Sequence, residues 1–248
     1  MFSEIIRRSE NALKQTAVWS VAVWSAVLIA IILLLGGAMI GGSLIPLMMS
    51  PVGLTGMAAL SRVGGAMLLL MLVAILAGPF WIAGIYGTLA DAVNGQTITW
   101  STFWRNARIL YGRGWGLIGF SALWALSIDI IMLVFGLLLH ALGIVLGFAW
   151  VIATLPVIMR MTGGLFSRRL SWSESVRQSL TLTGWGELWL ALAAYAVIAF
   201  IVLLLVSIVL GHIPLIGFLL VLALDIVIEV VGGIWAFAAY EVTTPAAR

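Results

Sequence analysis

Two short segments, TWSTFWR at residues 99–105 and SWSESVR at residues 171–177, share one pattern. Each has a hydroxyl residue, Trp, Ser, two variable residues, an apolar residue and Arg, and each lies between long apolar runs. A weaker third copy is FSEIIR at residues 2–7. A polar and aromatic segment that recurs between apolar runs predicts a repeated unit, and this repeat decides the expected fold.

The composition places the chain in a membrane. Of the 248 residues, 64% are hydrophobic and only 8% are charged, and the mean hydropathy is +1.24. Soluble domains carry about 25% charged residues, so this chain cannot cover itself with a surface that water solvates. An integral membrane protein is the expected class, with the lipid bilayer as its surroundings.

Several kinds of site are excluded or disfavoured by the same composition. The chain has no cysteine, which excludes disulfides, iron–sulfur clusters and thiolate zinc sites. Its two histidines are too few for a histidine-based metal centre. The net charge is only +3, and nucleic acid is not an expected partner. We expect no metal and no cofactor.

Six apolar runs are long enough to cross a bilayer, which takes about 20 residues of helix. A strong bias of Lys and Arg orients them, because cytoplasmic loops carry the excess of these residues. With the N-terminus inside, eleven basic residues fall on the cytoplasmic side and only Arg62 on the other. Both termini are therefore predicted to be cytoplasmic. The six predicted spans are 17–40, 63–88, 115–138, 142–163, 186–210 and 214–239.

The predicted fold is all-α, a polytopic membrane protein with six transmembrane helices in one domain, 1–248. Each copy of the repeated segment precedes an outward span, so the chain divides into three repeats at about 2–90, 99–165 and 171–241. Each repeat would be an interfacial helix followed by a transmembrane hairpin. Thr99 and Ser171 are expected helix N-caps, and Glu174 completes a capping box with Ser171.

The repeated segments mix aromatic and basic residues at helical spacing, as in helices that lie in the membrane interface. One interpretation is that they anchor each hairpin at headgroup depth. The other is that they form a docking surface for a cytoplasmic partner protein. The residues of this interfacial motif are Trp100, Ser101, Arg105, Trp172, Ser173 and Arg177.

The segment LADAVNGQTITWSTFWRNARILYGRGWGL at residues 89–117 and the hairpin repeat carry a resemblance. The chain resembles uncharacterised bacterial six-helix membrane proteins, including the membrane domain attached to some glycerophosphodiester phosphodiesterases. The resemblance implies a multi-pass protein of a prokaryotic cell membrane. It implies no phosphodiesterase activity, because the sequence contains no such catalytic domain.

Three acids fall well inside the predicted spans: Asp129, Asp225 and Glu229. Such residues normally face the bundle interior and have a partner or a function. Asp129 and Asp225 lie at similar depth, roughly 16 Å below the outer boundary at about 1.5 Å per residue. Glu229 follows Asp225 by one turn, and Arg160 lies at about its depth, which predicts a Glu229–Arg160 ion pair. These four residues form the candidate intramembrane polar site.

Two functions remain open at this point. The first is a non-enzymatic membrane module that interacts with lipid or partner proteins, with the acids acting as hydrogen-bonding fasteners, for example to Ser121 or Ser127. The second is a transporter or permease subunit that uses Asp129 and Asp225 to move protons, cations or a polar substrate. No catalytic residues are proposed, because none of the common enzyme motifs occurs in a suitable context.

Overall fold

The computed structural model describes residues 1–24, 27, 54–139, 141–210 and 216–244. Within these ranges every regular element is an α-helix and there is no strand, which confirms the all-α prediction. The helices are α1 (Phe2–Leu13), α2 (16–24 as far as described), α3 (Leu54–Val93), α4 (Trp100–Ile109), α5 (Tyr111–Leu139), α6 (Ala141–Phe166), α7 (Trp172–Ser179), α8 (Trp185–Leu210) and α9 (Ile216–Thr243).

Five stretches among the described helices are long and apolar enough to cross a membrane. The first span predicted from sequence, 17–40, lies mostly outside the described residues. The count of six spans and the threefold repeat therefore stay predictions. The five stretches are Met71–Val93, Tyr111–Leu137, Leu142–Phe166, Trp185–Val209 and Ala223–Thr243.

Helix α3 is longer than the sequence predicted. The predicted spans 17–40 and 63–88 leave residues 41–62 between them as an outer loop, but the chain is helical from Leu54 onward. The residues of this segment explain the difference, because Leu54, Met57, Ala58, Ala59 and Leu60 all favour helix. With 40 residues, α3 is about 60 Å long at about 1.5 Å per residue, which is twice the hydrocarbon thickness of about 30 Å.

The long helices pack mainly as neighbours in sequence. Helix α5 packs along α6, and α8 packs along α9. Helix α3 lies between them and contacts α1, α4, α5, α6 and α9. Because α3 touches so many elements, its side chains are where contacts between the hairpins are made.

The buried core is concentrated at one end of the bundle. This end contains α1, α4, α7, the connections 94–99 and 167–171 and the adjoining ends of the long helices; we call it the basic end, because nine basic residues lie there. Apolar side chains at the opposite ends of the long helices are exposed, for example Leu137 and Val209. Such apolar surfaces are typical of helices that contact the acyl chains of lipids. The nine basic residues are Arg7, Arg8, Lys14, Arg105, Arg108, Arg113, Arg168, Arg169 and Arg177.

The short helices form where the sequence predicted them. Thr99 and Ser171 are the N-caps of α4 and α7, as expected. Between α3 and α4, the sequence NGQT at 94–97 ends α3: Gly95 has a φ of 78°, which glycine adopts readily. Three backbone N–H groups of this turn, at residues 94–96, donate back to carbonyls of α3. Helix α4 is thereby turned back against the end of α3.

Candidate functional site

A buried carboxylate organises the basic end. Asp91, in the last turn of α3, is 2% exposed. It accepts a hydrogen bond from Asn106 Nδ2 of α4 at 2.8 Å, and Arg169 Nη2 donates to its Oδ1 at 3.0 Å. Arg105 Nη2 lies 3.5 Å from its Oδ2. One carboxylate therefore joins α3, α4 and the connection that follows α6.

The backbone of Arg169 is held in an unusual conformation. Its φ of 53° lies in the left-handed region, which costs about 1–3 kcal/mol in a residue other than glycine. Its carbonyl oxygen accepts a hydrogen bond from Arg113 Nη2 at 2.5 Å, and Arg113 Nη1 also donates to Leu165 O at 3.2 Å. Contacts from α3 and α5 thus hold the connection between α6 and α7.

A second polar cluster ties the end of α9 to the same connection. Ser167 Oγ donates to Glu241 Oε1 at 2.6 Å and accepts from Asn94 Nδ2 at 3.0 Å. Arg168 Nε lies 3.5 Å from Glu241 Oε2, and its guanidinium carbon is 5.0 Å from the centroid of the Tyr240 ring. Helices α3, α6 and α9 therefore share one hydrogen-bonded network at the basic end.

Helix α4 has a buried face and an exposed face. Phe103 is fully buried and packs against Trp81 of α3, with ring centroids 5.1 Å apart. Trp100 and Trp104 pack on Phe103 at 5.6 and 5.3 Å yet keep 42% and 38% of their surface exposed. Ser101 is exposed and hydrogen-bonded to the Thr99 hydroxyl at 2.8 Å. The helix is therefore fixed to α3 while its tryptophans remain available to the surroundings.

Helix α7 begins with the predicted capping box. Glu174 Oε2 accepts from the Ser171 N–H at 3.0 Å and from the Ser171 hydroxyl at 2.7 Å, while the Glu174 N–H donates to Ser171 Oγ at 3.4 Å. Ser173 Oγ lies 3.3 Å from Ser171 Oγ. Trp172 is exposed and donates from Nε1 to Gly116 O at 3.3 Å. The start of α7 is thus held to α5.

This capping box predicts a pH dependence that is local to α7. Hydrogen bonds from the Ser171 hydroxyl and then from its backbone N–H hold the pKa of Glu174 below its ordinary value of 4.5, and Arg177 adds to this effect. A lowered pKa in the folded state stabilises the fold above the unfolded value, and that contribution is lost as the pH falls through the folded pKa. We expect hydrogen-exchange protection of the first turn of α7 to decrease below pH 4.5 relative to the rest of the chain.

The control for this prediction is Glu174→Gln, which can still accept a hydrogen bond but does not titrate. In that variant the relative protection of α7 should be independent of pH over the same range. Equal pH dependence in both proteins would assign the effect to another group.

Arg160 does not form the predicted ion pair with Glu229. Its guanidinium is buried on α6 and donates through Nη1 and Nη2 to the carbonyl oxygens of Thr181 and Thr183, which follow α7. Within the described ranges, none of the ion pairs contains Glu229. The prediction was wrong because backbone carbonyls of a connection can satisfy a buried cation, and spacing along the helices does not reveal them.

The structure does not join Asp129 and Asp225 into one site. Both are exposed, and neither makes a hydrogen bond or ion pair with any other described residue. Ser127, considered as a partner for a protonated acid, donates to Trp124 O at 2.6 Å and accepts from Trp150 Nε1 at 3.1 Å. The two carboxylates therefore act neither as a pair nor as fasteners to this serine.

Glu229 instead lines a cavity of about 510 Å³ between α2, α3, α5, α6 and α9. Most of the described lining is apolar, with Val18, Leu89 and Phe237 among the walls. The polar side chains that line it, besides Glu229, are Tyr86, Ser121 and Thr162. Four charged residues were proposed from the sequence as an intramembrane site. Among the described lining residues of the cavity, Glu229 is the only one of these four.

Asp91 is the buried charged residue of this end that the sequence did not single out. It lies only three residues before the helix stop at Asn94, just beyond the predicted span 63–88. The available signal was a lone acid among apolar residues near the end of a predicted span. That end lies on the predicted cytoplasmic side, where most of the basic residues are. Such an acid indicates a buried ion pair, because a carboxylate at this position needs a partner.

No metal site is indicated by the described part of the chain, where no three His, Asp or Glu side chains converge. Comparisons with protein-family models, with curated proteins and with solved structures gave no match. The resemblance to phosphodiesterase-linked membrane domains thus stays a prediction.

Proposed function

We propose that this chain is a non-enzymatic membrane module whose basic end binds anionic lipid headgroups of the cytoplasmic leaflet. The observation that supports the proposal is that α4 and α7, both at the basic end, each expose aromatic and basic side chains. Arg108 and Arg177 are exposed there, close in sequence to Trp100 and Trp172, which keep 42% and 49% of their surface exposed. Tryptophan at headgroup depth with arginine beside it suits an anionic interface.

Exposed apolar side chains favour lipid over a soluble partner protein at this face. Ile109 ends α4, and Leu180 and Leu182 follow α7; their exposed fractions are 65%, 61% and 74%. Apolar residues on an interfacial helix insert into the boundary between headgroups and acyl chains. Arg108 makes no hydrogen bond or ion pair with the other described residues, so its charge is available to a phosphate. The basic end would then face the cytoplasm of a bacterial cell.

The proposal predicts a lipid-dependent stability. Anionic phosphatidylglycerol should raise the thermal unfolding midpoint of the protein in neutral micelles more than zwitterionic phosphatidylcholine does, because binding to the folded state stabilises it. The double variant Arg108→Gln/Arg177→Gln should lose about 2 kcal/mol of binding, at about 1 kcal/mol per basic residue. That corresponds to an affinity about thirtyfold lower.

The matched control is Arg7→Gln/Lys14→Gln, which removes the same charge from α1 and from its C-cap residue. Those two side chains are already paired with Glu4 at 2.7 Å and with Glu10 at 2.7 Å, so the control should retain most of the lipid effect. Equal responses to the two lipids, or equal losses in the two double variants, would contradict the proposal and favour a protein partner at this face.

Transport remains the alternative function. The cavity beside Glu229 favours it, whereas the lack of an interaction between Asp129 and Asp225 does not.

A further inference from the structure

The cavity beside Glu229 combines one acid with apolar and aromatic walls. Its volume of about 510 Å³ falls within the range of about 300–1,000 Å³ that holds small organic ligands. The Glu229 carboxylate lines it without a hydrogen bond or ion pair to any described residue. An acid in an apolar membrane cavity is costly unless a cation or a proton accompanies it.

The other polar groups of the cavity leave the acid without a basic partner. Tyr86 is the other titratable side chain among the described lining residues. Arg160 of α6 is buried, but its Nη1 and Nη2 groups donate to the carbonyl oxygens of Thr181 and Thr183. Thr162 Oγ1 donates to Ile158 O at 2.8 Å within its own helix. Among the described lining residues, Glu229 therefore has no positively charged partner.

The aromatic walls suit the same ligand. Tyr86 and Phe237 both line the cavity, and their rings pack against each other with centroids 6.1 Å apart. Aromatic faces attract cations by about 0.5–2 kcal/mol, more strongly where water is excluded. The remaining walls would contact the apolar body of the ligand. We propose that this cavity binds a lipophilic organic cation, with the Glu229 carboxylate as its counter-ion.

Two probes of similar shape and opposite charge test the proposal. Tetraphenylphosphonium and tetraphenylborate are added to the purified protein in neutral detergent, and binding is measured by equilibrium dialysis against protein-free micelles. The wild type should bind the phosphonium cation saturably and at least tenfold more tightly than the borate anion. In Glu229→Gln the affinity for the cation should fall at least tenfold while that for the anion does not fall.

The control variant is Asp225→Asn, which removes an acid one turn away on the same helix. Asp225 is not among the described lining residues, so cation binding should stay within twofold of wild type. Ala236→Phe places a ring in the cavity. This variant keeps Glu229 but reduces the space for the ligand, so it should weaken binding of the cation. Thermal unfolding of each variant confirms that it is folded before its binding is compared.

Three results would overturn the proposal. Equal affinity for the two probes would mean an uncharged apolar cavity, such as one that holds an acyl chain. Unchanged cation binding in Glu229→Gln would exclude the carboxylate as the counter-ion. An equal loss in Asp225→Asn would mean that general negative charge on α9, and not the cavity, attracts the probe.

Discussion

Replacing Asp91 with alanine is expected to lower the free energy of unfolding by about 1–3 kcal/mol, the usual cost of leaving a buried polar group without its hydrogen-bond partner. The variant would leave Asn106, which is 1% exposed, without an acceptor for its Nδ2 group. Arg169, whose backbone is in the left-handed conformation, would also lose the hydrogen bond from its Nη2 group to this carboxylate.

The measurement is unfolding in mixed micelles titrated with a denaturing detergent, followed by circular dichroism. Asp225→Asn and Asp129→Asn are the matched controls, because those acids are exposed and make no hydrogen bond or ion pair with the other described residues. Both should leave the unfolding midpoint nearly unchanged. If Asp91→Ala behaved as they do, the network at the basic end would contribute little to stability.

Gly114→Ala is expected to destabilise the protein by about 1–3 kcal/mol, the typical cost of overpacking. A β-carbon on Gly114 would overlap the carbonyl oxygen of Pro79 on α3. Backbone cannot move aside as the end of a flexible side chain can, so α5 would have to shift away from α3. This close approach is a form of helix packing that small residues permit in membranes.

Gly119→Ala on the same helix separates this contact from helix propensity. A β-carbon at residue 119 would meet no atom within 4 Å, and alanine favours helix over glycine by about 1 kcal/mol. We expect Gly119→Ala to be neutral or stabilising in the same detergent titration. A loss of stability in both variants would point to a general need for glycine in α5, and not to the contact with Pro79.

Local features of this chain follow from its sequence. Two examples are the capping box of Ser171 and Glu174 and the helix stop at NGQT. Each depends on residues within one or two turns of each other, so a short segment of sequence is enough to predict it. The membrane class follows from composition, since a chain with 8% charged residues has too little polar surface for water. Five of the predicted spans correspond to long apolar helices for the same reason.

The partners of the charged residues were decided by the tertiary structure. Asp225 and Glu229 are one turn apart and were expected to share a face, yet only Glu229 is among the described residues of the cavity. The partners of Asp91 lie 14–78 residues away in sequence, and those of Arg160 lie 21–23 residues away. The rotation of each helix about its axis, set by packing against its neighbours, determines which side chain meets a cavity or a partner, and no local pattern encodes that rotation.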